Sequence, residues 1–144
     1  MTEKGVRDYL DQMEAVQSQV VDELGDLDRS ELRYAADNWR WNTLRRIMLR
    51  FGDHLREHTT QLAAAREATG ATQTMPQRML ARAQEAYGVF LGAMVGLRDE
   101  DLDKAPEPGE WSPREALEHM IATQRQYLGL VRRARKTAEP VEKD

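Results

Sequence analysis

Residues 109–120 of the chain read GEWSPREALEHM and contain the clearest helix start in the sequence. Ser112 occupies the N-cap position and Pro113 the first helical position, which its fixed backbone angle suits. Glu115 stands three residues after the cap, as in a capping box. Apolar residues recur at helical spacing after this start, so the stretch predicts a long helix that runs to about Arg135.

Three earlier segments show the same helical spacing of apolar residues, and no sustained alternation typical of strands competes with them. They cover about residues 2–24, 41–70 and 74–94. The third segment also begins with a capping-box pattern, formed by Thr74 and Gln77. The sequence therefore predicts an all-α protein with four long helices.

The two halves of the chain repeat the same order of elements. A shift of 70 residues, without a gap, matches three leucine or alanine positions and one tryptophan. These pairs are Leu27 with Leu97, Leu32 with Leu102, Ala35 with Ala105, and Trp41 with Trp111. The repeat predicts an antiparallel four-helix bundle of two pseudo-symmetric helix pairs, with each tryptophan sealing one end of the core. We expect a single domain over residues 1–135 and a charged, flexible tail over residues 136–144.

Composition excludes several classes of function. The chain of 144 residues has no cysteine, which excludes disulfide scaffolds, thiolate zinc sites and cysteine nucleophiles. Its net charge of −4 offers no broad attraction for nucleic acid, and its arginine clusters form no stripe with interleaved aromatics. No segment has the pattern of a signal peptide or a membrane span. We therefore expect a cytoplasmic protein that binds neither nucleic acid nor membranes.

The three histidines are the candidate metal ligands of this chain. His54 and His58 are spaced i, i+4 on the second helix, so their side chains project from one face and can bind one ion together. They lie in line with Phe51 and Leu62, on the stripe expected to face the core. His119 lies about two turns into the fourth helix. Spacing alone leaves two interpretations open, a metal site or core histidines that satisfy a hydrogen bond.

Two motifs in the chain resemble the DinB/YfiT-like family, whose members are four-helix bundles with a three-histidine metal site. Residues 109–120 resemble the family's tryptophan-led helix, which ends in a single histidine ligand. Residues 43–62 resemble the helix in which an HxxxH pair precedes a glutamine and an aliphatic residue. Together with the connectors, the resemblance covers residues 1 to about 135.

The order of the two motifs differs from the order in the family. The family has the single-histidine helix first and the HxxxH helix last, whereas this chain has them the other way round. A circular permutation of two equivalent helix pairs would produce this order. The resemblance implies His54, His58 and His119 as metal ligands. Gln61, three residues after His58, is expected to reach that ring or the site.

Three imidazole ligands leave a coordination position for water or substrate, which is typical of a catalytic site. The implied cofactor is a divalent transition metal, with zinc, nickel and iron(II) all compatible with this ligand set. The implied reaction is of the transferase or hydrolase type and acts on a small molecule, with low-molecular-weight thiols among the candidate substrates. No residue is identified as a general acid or base. Whether the chain is an enzyme is left open. The alternative is a non-catalytic helical module without metal, which forms a homodimer or binds another partner.

Overall fold

Four α-helices make up most of the computed structural model, which describes residues 2–141. The helices are α1 (Val6–Leu24), α2 (Leu44–Ala68), α3 (Met75–Met94) and α4 (Pro113–Thr137). Two short 3₁₀ turns, Arg29–Arg33 and Asp99–Asp101, lie in the connectors that precede α2 and α4. The described residues form no strand, only one isolated bridge between Ala35 and Thr43. The all-α class with four helices is confirmed.

Side-chain caps determine where the later helices begin. In α4 the Ser112 hydroxyl accepts the Glu115 N–H at 3.3 Å, and the Glu115 carboxylate accepts the Ser112 N–H at 2.8 Å. Thr74 and Gln77 make the same reciprocal pair at the start of α3, at 3.3 and 2.9 Å. Each pair satisfies two backbone donors that have no partner inside the helix. Both predicted capping boxes are therefore confirmed.

The first helix begins later than its apolar pattern predicts, at Val6 instead of about Thr2. Gly5 takes the N-cap position, and the carboxylate of Asp8 accepts the Gly5 N–H at 2.7 Å. A negative side chain in the first turn is favourable because the helix dipole is positive there. The side chain that fixes the first residue of α1 is therefore Asp8, which is itself part of the helix.

The two pseudo-symmetric halves are seen in the order and length of the elements. α1 and α3 end 70 residues apart, at Leu24 and Met94, and each is followed by a 3₁₀ turn. α2 and α4 are each 25 residues long. α4 ends at Thr137 instead of about Arg135, so it includes the first two residues of the predicted tail. Residues 142–144 of that tail lie outside the described residues.

The chain divides into two compact units, Met1–Gly96 with the first three helices and Leu97–Asp144 with α4. In the first unit α2 packs mainly against the turn Arg29–Arg33. In the second unit the guanidinium of Arg114 donates to both oxygens of Asp103, at 2.7 and 3.1 Å. This ion pair holds the connector against the first turn of α4.

Apolar side chains are not completely buried within either unit taken by itself. Among the described residues only Ser112, at 7% exposed, is buried. The stripe of α1 that is expected to face a core is open within its unit, with Tyr9 61% and Met13 50% exposed.

None of the helices in residues 2–141 is long and apolar enough to cross a membrane. The cytoplasmic location and the single domain over residues 1–135 stay predictions.

Replacing Ser112 by alanine removes the hydroxyl that caps α4. We expect the free energy of unfolding to fall by about 1 kcal/mol, the usual effect of losing an N-cap side chain. Urea unfolding followed by far-ultraviolet circular dichroism measures the loss. Ser18→Ala, an exposed change within α1, is the control and should cost less. Equal losses in the two variants would show that the cap does not stabilise α4.

Acid should weaken the contact between the connector and α4. Hydrogen bonds from Arg114 lower the pKa of Asp103. A carboxylate of this kind stabilises the fold above its unfolded pKa of about 3.9, and the stabilisation is lost as the pH falls through the folded-state pKa. Asp103→Asn should therefore lower the unfolding midpoint at neutral pH, and the difference from wild type should narrow below about pH 4. Asp22→Asn on α1 is the control, and a difference that stays constant with pH would contradict this role of Asp103.

Candidate metal site

The first two predicted ligands lie next to each other on α2. The ring centroids of His54 and His58 are 4.4 Å apart, with an angle of 66° between the ring planes. Both side chains are exposed within the first unit, where a core-facing position was expected. On the same stripe Phe51 is half-buried and Leu62 is 62% exposed. The stripe is open because the main packing partner of α2 in this unit is the 3₁₀ turn.

Gln61 holds the ring of His58 in one orientation. Its Oε1 atom lies 2.5 Å from Nδ1 of His58. An amide oxygen only accepts hydrogen bonds, so Nδ1 carries the hydrogen and Nε2 keeps its lone pair. Metal-binding histidines commonly donate from one ring nitrogen in this way while the other nitrogen binds the ion. The structure therefore brings Gln61 to the position expected of it, against the ring of His58.

An ion pair lies beside the two histidines. The guanidinium of Arg50 donates to both carboxylate oxygens of Glu57, at 2.9 and 3.1 Å. The hydrogen bonds from Arg50 are the main cause of the lowered pKa of Glu57, and the nearby charges of Arg50 and the histidines lower it further. Glu57 is therefore ionised at neutral pH, and as a weak base it is poorly suited to accept a proton. The pair was missed in the sequence because its spacing of i, i+7 spans two helical turns.

Two guanidinium groups lie against Trp41. The central carbons of Arg40 and Arg50 are each 4.9 Å from the centre of its ring, within the range of cation–π contacts. The backbone before α2 turns at Asn38, whose side-chain oxygen accepts the N–H groups of Arg40 and Trp41 at 3.0 and 2.8 Å. Trp41 is half-buried, and these two charged groups contact its ring. Trp39, two residues earlier, is 91% exposed.

Trp111 makes a corresponding contact in the second unit. Its ring centroid lies 4.8 Å from that of His119, with 56° between the planes. His119 is the seventh residue of α4, and Arg50 is the seventh residue of α2. Each of these residues contacts the tryptophan that precedes its helix. The contact between Trp111 and His119 was missed in the sequence, although the cap at Ser112 places them about two turns apart.

The three predicted ligands fall into separately described units. His54 and His58 belong to the first unit and His119 to the second. Within residues 2–141, no group of three or more histidine, aspartate or glutamate side chains is arranged to hold a metal ion. The histidine pair with Gln61, and His119 with Trp111, are thus the two described parts of the candidate site.

The hydrogen bond from His58 to Gln61 predicts a tautomer that can be observed directly. Wild-type His58 should carry its hydrogen on Nδ1 in nitrogen-15 NMR spectra of the neutral ring. Gln61→Ala removes the acceptor, so the signal should shift toward the Nε2–H form. The ring of His54 is the internal control and should keep its tautomer. An unchanged His58 spectrum in the variant would show that Gln61 does not orient this ring.

Comparison with known proteins identifies one part of the chain. Residues 82–144 match the family model described as the DinB superfamily. This segment contains most of α3, the second connector and α4, and so includes Trp111 and His119. No curated protein and no solved structure is significantly similar to the chain. This match supports the resemblance seen in the sequence for the segment that carries Trp111 and His119, and the exchanged order of the two motifs stays a prediction.

Proposed function

We propose that the chain binds a divalent transition metal ion through His54, His58 and His119 and that the ion activates water or a small thiol. The DinB-like match covers the segment that carries His119. The observation that carries the proposal is the hydrogen bond between Gln61 and Nδ1 of His58. It leaves Nε2 of His58 with a lone pair that can bind a metal ion, and the ring of His58 lies next to the ring of His54.

The side chains on α2 fit a transition metal ion. Two imidazoles whose centroids are 4.4 Å apart on one helical face can reach a single ion at about 2.0–2.1 Å from each nitrogen. A set of neutral nitrogen donors without a thiolate suits zinc, nickel or iron(II). The carboxylate of Glu57 is paired with Arg50, so this ion pair adds no net charge beside the two imidazoles.

Bound to three protein ligands, the metal would supply Lewis acidity that lowers the pKa of a water or thiol in the remaining coordination position. The side chains of this chain supply orientation. Gln61 fixes the hydrogen of His58 on Nδ1, and Trp111 restricts the ring of His119. Arg50 lowers the pKa of Glu57, so this carboxylate is not the base that accepts a proton. The reaction proposed for this arrangement is a transfer or a hydrolysis on a small molecule.

Metal content tests the proposed ligand set. Untagged protein should retain close to one equivalent of zinc, nickel or iron, measured by elemental analysis after gel filtration. His54→Ala and His119→Ala should each lose most of it, because two imidazoles alone bind an ion weakly. The metal should also be released as the pH falls from about 7.5 to 5, since a ligating imidazole must be unprotonated and imidazole protonates near pH 6.5.

Gln124→Ala is the matched control for these variants. Gln124 is the residue that aligns with His54 in the 70-residue sequence repeat. Its replacement should leave the metal content unchanged. Full retention of metal in both histidine variants would make the three-histidine site wrong. Retention at pH 5 would count against imidazole coordination.

The exposed apolar face of α1 favours a second candidate function, a non-catalytic dimerisation or partner-binding module. Val6, Tyr9 and Leu10 lie on this face and are largely exposed within their unit. Such faces commonly mark protein interaction sites. On this alternative the purified protein is free of metal, and its melting temperature does not respond to added zinc or nickel. On the metal-site proposal, either ion should raise the melting temperature, because a ligand that binds only the folded state stabilises it.

A further inference from the structure

A groove within the first unit lies between α1 and α2. Its volume is about 400 Å³, within the range of sites that hold small molecules in proteins. Met13 and Gln17 line it from α1, and the lining on the other side runs from Trp41 to Leu55. His54 is also a lining residue, so the groove reaches the histidine pair.

Most of the side chains in the groove wall are apolar. Met13 faces Ile47, Phe51 and Leu55 of α2 across it. An aliphatic chain or ring that enters the groove would remove this apolar surface from water, which is favourable. The wall therefore fits the hydrocarbon part of a ligand.

The charges near the groove favour an anion. Of the residues that line it, Arg50 carries a permanent charge, which is positive. The carboxylate of Glu57 bonds to Arg50, but Glu57 is not a lining residue. Arg40 adds a second guanidinium against the ring of Trp41. The guanidinium of Arg50 is already paired with Glu57, so the group that offers a ligand carboxylate the two-bond geometry is Arg40.

We propose that this groove binds an organic acid with an apolar body. Its carboxylate lies against the guanidinium of Arg40 beside Trp41, and its body lies between α1 and α2. The assignment of this acid as a substrate class rests on the proposed function, because His54 both lines the groove and is a proposed metal ligand. Binding of the acid itself needs only the residues of the groove and Arg40.

Octanoate is a suitable probe, and Trp41 can report its binding. The chain has three tryptophans, so Trp39→Phe with Trp111→Phe leaves Trp41 as the single emitter. In the chelator-treated full chain, octanoate should change Trp41 emission in a saturable way. Butyrate has the same carboxylate with four fewer methylenes and should bind at least about tenfold more weakly. Octyltrimethylammonium has the same chain with the opposite charge and should give no saturable change.

Charge substitutions on the two helices test the site itself. Met13→Glu adds a carboxylate to the groove wall and should weaken octanoate binding by about tenfold or more, because like charges repel in a partly enclosed site. Met79→Glu makes the same change on α3, outside the groove, and should leave binding unchanged. Arg40→Gln removes a guanidinium that contacts the lining residue Trp41 and should weaken binding. Arg46→Gln removes a guanidinium of α2 that bonds to Asn42 instead and should leave binding unchanged. Far-ultraviolet circular dichroism checks that each variant keeps its helices.

The outcomes separate this inference from the proposed function. Saturable octanoate binding that is lost in Met13→Glu supports the groove, and it does so whether or not the protein retains metal. If the protein binds octanoate but no metal, the groove is still a binding site for an organic acid. The proposal that the acid is a substrate of a metal-dependent reaction would then be wrong. The inference is wrong if Trp41 emission shows no saturation up to about 10 mM octanoate, which corresponds to negligible affinity. Equal affinities in Met13→Glu and Met79→Glu, or tighter binding of octyltrimethylammonium, would also overturn it.

Discussion

The reciprocal hydrogen bonds between Ser112 and Glu115 fix the first residue of α4, and the second unit depends on that start. Once the start is fixed, 3.6 residues per turn bring His119 round to the side of Trp111. The hydroxyl of Thr43 has the same role at the start of α2. A local interaction of about 1 kcal/mol thus decides which side chains face each tryptophan. The chemistry proposed for the chain therefore depends on helix starts as much as on the identity of the histidines.

The helices could be predicted where a side chain marks their ends. Thr74 and Ser112 are each an N-cap residue, so the starts of α3 and α4 follow from their positions in the sequence. The start of α1 could not be predicted in this way, because Gly5 has no side chain and the carboxylate of Asp8 reaches back instead. The end of α4 was also missed. Ala138 closes it in the left-handed conformation, at φ 51°, which is unusual for a residue with a Cβ atom and leaves no mark in the sequence.

The part of the candidate site that lies on a single helix could be predicted from the sequence. The spacing of His54, His58 and Gln61 along α2 is enough to bring these side chains together. The contacts of the two tryptophans depend on the path of the chain before each helix, which residue spacing does not specify. The exposure of the histidine face was not predictable either. An apolar stripe indicates which face of a helix can be buried, whereas the packing between elements decides whether it is.

The contacts of Arg50 and His119 with the tryptophans show how the two halves of a repeated chain can diverge. Both are the seventh residue of a 25-residue helix, and both contact the preceding tryptophan. In the gapless repeat Arg50 aligns with Met120 and His119 aligns with Leu49, so the two contacts come from neighbouring positions of the repeat and not from the same one. One half has an imidazole against its tryptophan, and the other has a guanidinium, which stays protonated and does not bind metal ions. A shift of one residue along the helix is thus enough to give one tryptophan a candidate metal ligand as its neighbour and the other a permanent cation.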